Sequence, residues 1–192
     1  MTRALAEVIA SGGIAVVGTD TVYGVCADAT DTAAVARLLA LKGRPEGKPA
    51  AVSFDSVEEV LAALPELGER TRAAVQALLP GPLTLLVPNP RRRYPLAGGE
   101  LLGIRVLALG AGRPLLLTSA NLAGDPEART LEAVEPRLRA GADLVVNDGE
   151  LAGTPSTVVD LGSFEDGGGW RIVREGACTR EQFERALLGS GL

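Results

Sequence analysis

No histidine occurs anywhere in these 192 residues, and cysteine appears only as Cys26 and Cys178, far apart and in no CxxC pair. The first absence removes zinc sites with imidazole ligands, imidazole bases and Ser-His-Asp chemistry together, and a metal held by carboxylates is what remains. Long apolar runs are missing too: no uninterrupted stretch approaches the roughly 20 residues needed to span a bilayer. The start, MTRALAEVIASGGIAVV, carries Glu7 inside its apolar run and lacks a signal-peptide layout, so a cytoplasmic location is expected. Excess positive charge is also absent. A net charge of -5 and a pI near 4.9 argue against a non-specific nucleic-acid surface, while leaving room for a local basic pocket that takes a phosphorylated small molecule. GGIAVVGTDT is not GxGxxG and no GxxxxGK[ST] occurs, which excludes the common dinucleotide fingerprint and the P-loop. Any ATP must be held in another way.

What is present suits one sizeable core, since 46% of the residues are hydrophobic. A single domain over residues 1–192 is expected. A helix from Arg3 to Ser11 should stop at Gly12-Gly13, and Ile14 to Val17 then forms an apolar strand, followed by GTDTVYGV read as a polar loop. Asp31 can cap the next helix, which has Val35, Leu38 and Leu39 at helical spacing and leads into KGRPEGKP. Ala50 to Phe54 reads as a strand. Ser56 with Glu59 suggests a capping box for a helix over Val57 to Leu64, and a further helix over Glu69 to Leu79 ends at Pro80-Gly81. Further strands are expected at Leu83 to Val87, Gly103 to Leu107, Leu115 to Thr118, Asp143 to Val146, Thr157 to Leu161 and Trp170 to Val173. Helices are expected near Leu131 to Ala140 and Glu181 to Leu188. The mixture implies one α/β domain, with irregular spacings favouring a mixed sheet over a doubly wound one.

Polar clusters sit at the ends of the apolar runs: Thr19 to Thr21, Thr118 to Asn121, Pro155 to Thr157 and Val173 to Gly176. In open α/β sheets, ligands sit where strand ends and their loops converge. Between Leu41 and Phe54 the chain places Lys42, Arg44 and Lys48 among glycines and prolines, which points to cations on a shaped loop and not on a solvated helix face. Arg44 suits a planar fork of hydrogen bonds to phosphate or carboxylate, whereas Lys42 and Lys48 act as mobile point charges. Ser119, Ser156 and Asn121 add donors without charge. Against this stands the plainer reading of solvated loop cations, with SAN and PST as turn and capping residues. Tyr23 reads as core or rim.

With these pieces in order, the chain resembles the YrdC/Sua5 family of threonylcarbamoyl-AMP synthases. The matching segments are GTDTVYGVCADA (18–29), KGRPEGKP (42–49), GPLTLLV (81–87), GIRV (103–106), TSANLAG (118–124), PSTVVD (155–160) and VREGA (173–177), covering residues 8–188. The resemblance implies an α/β fold, a twisted mixed sheet with flanking helices around an open cleft that holds ATP and L-threonine. It puts Lys42, Arg44 and Lys48 at the catalytic cationic positions, and Thr21, Ser53, Arg105 and Ser156 about the threonine. Arg44, Lys48, Ser119, Asn121 and Arg174 fall about the nucleotide. The chain departs from the family pattern in two places. Ser53 stands where members commonly carry histidine, and IRV runs on through LALGAGRPLLLTSAN without the short helix that members commonly insert there.

The implied reaction joins L-threonine, bicarbonate and ATP into threonylcarbamoyl-AMP, pyrophosphate and water, with Mg²⁺ sharing the phosphate charge. The product would pass to tRNA-modifying transferase machinery. Neither membrane association nor direct tRNA binding is expected, because an RNA-binding face needs a broad basic patch and not one loop. Two other readings share the cleft: a YrdC-like RNA- or nucleotide-binding module without turnover, and carbamoyl or adenylyl transfer to another acceptor.

Overall fold

The computed structural model describes residues 2–43, 50–94, 96–122 and 124–191. Its elements run α1 (Thr2–Ala10), β1 (Ala15–Gly18), β2 (Tyr23–Asp28), α2 (Thr32–Lys42), β3 (Ala51–Phe54), α3 (Val57–Ala63), α4 (Glu69–Leu78), β4 (Leu83–Pro88), β5 (Leu101–Val106), β6 (Leu115–Ser119), α5 (Pro136–Gly141), β7 (Leu144–Val145), β8 (Thr157–Asp160), β9 (Arg171–Arg174) and α6 (Arg180–Gly189). No helix among the described residues is long and apolar enough to cross a membrane.

The strands form one mixed sheet in the order β7-β1-β2-β6-β3-β5-β4-β8-β9. β1/β7, β3/β5 and β4/β8 run parallel, and the other neighbours antiparallel. This mixed α/β architecture is the one expected from the sequence.

Side-chain alternation along the strands divides the molecule into two unlike faces. Val16, Val25, Val52, Phe54, Leu85, Ile104, Leu116 and Val159 face one way and join the main core with Val35 and Leu38 of α2, Val60 of α3, Val75 of α4, Leu138 of α5 and Phe183 of α6. Ala15, Val17, Cys26, Leu115 and Leu117 face the other way and pack on Leu5 and Ile9 of α1 with Leu107 and Ala111. Among the described helices only α1 packs on that second face. The connection from β5 to β6, residues 107–114, crosses it without any helix. The rest of the face is open, and the cleft lies there.

Local chemistry sets the helix ends. The Asp31 carboxylate accepts from Ala33 and Ala34 N–H at 2.9 and 3.0 Å, and Gly43 closes α2 in the left-handed region at φ 62°. Ser56 Oγ accepts from Glu59 N–H, but the Glu59 carboxylate reaches back to Asp55 N–H instead of closing the box on Ser56. α4 starts at Gly68 with no cap of its own, and Glu165 supplies one from far along the chain, accepting from Thr71 N–H and Thr71 Oγ1–H, both at 2.9 Å.

Two further sequence expectations fail here. Tyr23 to Val25, read as the end of the polar loop GTDTVYGV, instead open the strand β2, which is buried along its whole length. A strand buried on both faces shows no polar alternation, and Gly24, Cys26 and Ala27 carry little β propensity. The helix expected from Leu131 begins only at Pro136, which occupies a first-turn position where its missing N–H costs nothing.

Candidate functional site

The open face holds a cleft of about 470 Å³ that crosses seven adjacent strands, β2 to β9 in the sheet order. Gly24, Ala51 and Gly103 help to form its floor, and their lack of side-chain bulk creates the depth. Ala51 and Gly103 are register partners on neighbouring strands, so the bare patch is continuous. A Cβ at Gly24 would come within 2.8 Å of Leu117 Cδ1, so any larger residue there would crowd the floor.

Polar side chains rise around this floor. At the end of β1, Thr19 Oγ1 donates to Val22 carbonyl at 2.7 Å and accepts from Thr21 and Val22 N–H, folding GTDT into a tight turn. That turn sets Thr21, 1% exposed, against the cleft. Arg105, on β5, projects from the floor with only 8% of its side chain exposed. Its Nη2 donates to Asp20 Oδ1 at 2.6 Å and its Nε to the Leu83 carbonyl at 3.3 Å, so the buried charge is paired. On the far wall, Ser156 Oγ and Thr84 Oγ1 share a hydrogen bond of 2.9 Å, and Arg174 Nη2 donates to the Ser156 carbonyl at 2.7 Å.

Lys42 is not on a loop, contrary to the sequence reading. It closes the last turn of α2, is 7% exposed, and its ammonium donates to Thr118 Oγ1 at 3.0 Å and to the Ser119 carbonyl. Glycine at 43 ends the helix just beyond it, so the cation is delivered by a rigid element. Arg44 and Lys48 lie outside the described residues.

Ser119 and Asn121 follow from β6 into the cleft wall. Asn121 is 9% exposed. Its Nδ2 donates to the Asp125 carbonyl at 2.7 Å, while its Oδ1 is buried with no partner among the described residues. Glu127 Oε2, on the same wall, is likewise buried and unpartnered.

Of the expected site residues, Thr21, Lys42, Arg105, Ser119, Asn121, Ser156 and Arg174 thus line one cleft. Ser53 does not. It shares the face of Ala51 and is the register partner of Arg105, but it is 2% exposed, does not line the cleft, and its Oγ has no hydrogen-bond partner among the described residues. Sequence reasoning missed Asp20, Thr84 and Glu127. Asp20 and Thr84 stand within quoted segments, yet only the fold reveals their partners.

Tyr23 is fully buried. Its hydroxyl donates to the Gly149 carbonyl at 2.9 Å and accepts from Asp148 N–H at 2.8 Å, a structural role. Among the described residues, no three acidic or thiol side chains come together in a way that would hold a metal ion, so no protein ligands for Mg²⁺ are assigned.

The family described as telomere recombination, comprising Sua5, YciO and YrdC, matches residues 7–176. A threonylcarbamoyl-AMP synthase of Chromohalobacter salexigens is 38% identical over 169 residues, covering 80% of this chain and 89% of that protein. A Pyrococcus abyssi Sua5 structure complexed with L-threonine superposes with a TM-score of 0.82 at 28% identity, covering 96% of this chain but 56% of that one. Escherichia coli YciO shares the fold, with a TM-score of 0.75 at 24% identity over 95% of this chain and 94% of the other.

Proposed function

Because this chain belongs to the Sua5/YciO/YrdC family, we propose that it is an L-threonylcarbamoyladenylate synthase, making threonylcarbamoyl-AMP and pyrophosphate from L-threonine, bicarbonate and ATP. The observation that carries this reading is the convergence of Lys42, Ser119, Asn121, Arg105, Ser156, Arg174 and Thr21 on one cleft. The relative complexed with L-threonine supports the choice of amino acid.

In this reading the threonine amine attacks the carbon derived from bicarbonate and forms a carbamate, with loss of water. A carbamate oxygen then attacks the α-phosphorus of ATP, and the bond to pyrophosphate breaks. Negative charge grows on the departing pyrophosphate, so cations from Lys42, Arg44 and Lys48 stabilise the transition state more than the ground state. Asn121 and Ser119 hold the nucleotide end with Arg174. Thr21, Arg105 and Ser156 hold the amino acid, and fixing the two reactants beside each other supplies much of the rate. The product would serve tRNA modification, and Mg²⁺ arriving with ATP would share the phosphate charge with these cations.

Pyrophosphate release is the test. It should require threonine and bicarbonate together, and mass spectrometry should find threonylcarbamoyl-AMP. Release indifferent to threonine would point to another acceptor, and ATP binding without release to a binding module.

A further inference from the structure

Resting on that reading, we propose that Asp20 is the group that receives the ammonium of the amino acid, and that the Asp20–Arg105 ion pair is a resting-state stand-in for the zwitterion. The geometry of the pair carries this. Arg105 is a buried guanidinium that would be costly without a counter-charge, and Asp20 is the acidic partner it has among the described residues, at 2.6 Å. Its Nε is fixed from behind by the Leu83 carbonyl on β4, so the guanidinium belongs to the sheet.

Asp20 is held less firmly. It lies on the turn between β1 and β2, its side chain is 31% exposed, and its immediate neighbours Thr19 and Thr21 both line the cleft. Both of its hydrogen bonds, from Arg105 and from Thr21 Oγ1 at 3.3 Å, go to Oδ1. Among the described residues, Oδ2 accepts none.

An α-amino acid brings a carboxylate and an ammonium on one carbon. Its carboxylate can take the place of Asp20 on Arg105, so the buried guanidinium is never left unpaired. The displaced Asp20 then has a cation to accept, the ammonium that arrives with the carboxylate. A 2-hydroxy acid or a simple carboxylate could make the first exchange but would strand Asp20, so the pair selects zwitterions by a penalty as well as by attraction. The lack of histidine leaves carboxylates as the acidic or basic side chains able to accept this group.

Calorimetric titration of the whole chain with L-threonine and with 3-hydroxybutyrate, which keeps the carboxylate and hydroxyl but lacks the amine, tests the idea. Wild-type protein should prefer threonine. Asp20→Asn should weaken threonine by at least about ten-fold, while 3-hydroxybutyrate binds more tightly because Arg105 no longer has to release a carboxylate. Asp20→Glu should retain the preference for threonine, and it keeps the test open should the asparagine variant not fold. Parallel loss of both ligands in Asp20→Asn would make Asp20 a mere positioner of Arg105 and overturn the proposal. So would unchanged affinities. A wild-type protein that binds no threonine, with or without ATP, would overturn the proposed function and this inference with it, whereas normal wild-type binding with parallel losses would overturn this inference alone.

Discussion

Thr84 Oγ1 and Ser156 Oγ lie 2.9 Å apart, one on β4 and the other just before the parallel strand β8, both nearly buried in the cleft wall. Each hydroxyl is the other's solvent substitute, with Arg174 adding a longer contact of 3.3 Å to Ser156 Oγ. Ser156→Ala alone strands the Thr84 hydroxyl and should cost about 1–3 kcal/mol in guanidinium unfolding, and Thr84→Val should cost less, because Arg174 still reaches Ser156 Oγ. The double variant should cost less than the sum of the two. Strict additivity would mean that the two groups do not depend on each other.

Arg44 and Ser53 should behave as opposites. In the proposed function Arg44 pairs with the phosphates or the threonine carboxylate, and losing such a charge partner costs on the order of 2–5 kcal/mol, so Arg44→Ala should depress threonine-dependent pyrophosphate release by roughly 30-fold to several thousand-fold. Arg44→Lys should recover only part, because it keeps the charge but loses the planar fork. Ser53 Oγ is buried without a partner among the described residues, so Ser53→Ala sheds an unsatisfied group. Its thermal midpoint should hold or rise, with little change in turnover. A Ser53 defect as large as that of Arg44 would reverse this assignment.

Acid should unfold the protein through three carboxylates. The Arg93 hydrogen bond holds Glu66 below its ordinary value of 4.5, the Ile14 N–H holds Asp143 below 3.8, and the Thr71 N–H holds Glu165 below 4.5. Each folded-state value is depressed, so the stability each adds is complete above its ordinary value and is lost as pH falls through the lower, folded one. With no imidazole to titrate, guanidinium midpoints should be nearly level between about pH 5 and 8, then drop on further acidification. Glu165→Gln should make that drop shallower. It keeps an acceptor for the α4 N-terminus but removes the proton linkage.

Thiol labelling should report unfolding. Burial pushes the Cys26 thiol up to about 12, against a smaller lowering by a backbone hydrogen bond involving Ala15, and Cys26 sits under α1 with no exposed surface. Iodoacetamide at pH 8 should therefore leave Cys26 of the native protein unmodified and label it only as denaturant opens the sheet. Rapid native labelling at Cys26 would mean that α1 detaches readily.

Features governed by near neighbours were legible in the sequence. Asp31 announced α2 because an N-cap acts on amides two and three residues ahead, and Gly12 marked the end of α1 by the conformation it permits. The cleft residues at strand ends were legible for a related reason: a polar residue following an apolar run has few other uses. What escaped depended on distant partners. β2 looked unlike a strand because β1 and β6 flank it and its residues on both faces are buried, which erases the alternation by which a strand is recognised. Lys42 resembled a loop cation because its glycine- and proline-rich sequel overshadowed the helical run before it. Asp20 gave no hint of Arg105, since a guanidinium 85 positions later becomes its neighbour only when β5 is laid into the sheet.

The strand order also governs how the chain can be made. β1 and β2 can pair as soon as both exist, but β3 pairs only with β5 and β6, and β4 only with β5 and β8, all of which come later. During synthesis the apolar segments 51–54 and 83–88 must therefore wait unpaired, and such edges are where nascent chains aggregate. So many non-local pairings also make for slow folding. The wall that carries Ser156 and Arg174 closes last, against a floor already laid by β2, β3, β5 and β6. Incomplete chains thus expose that floor without the wall.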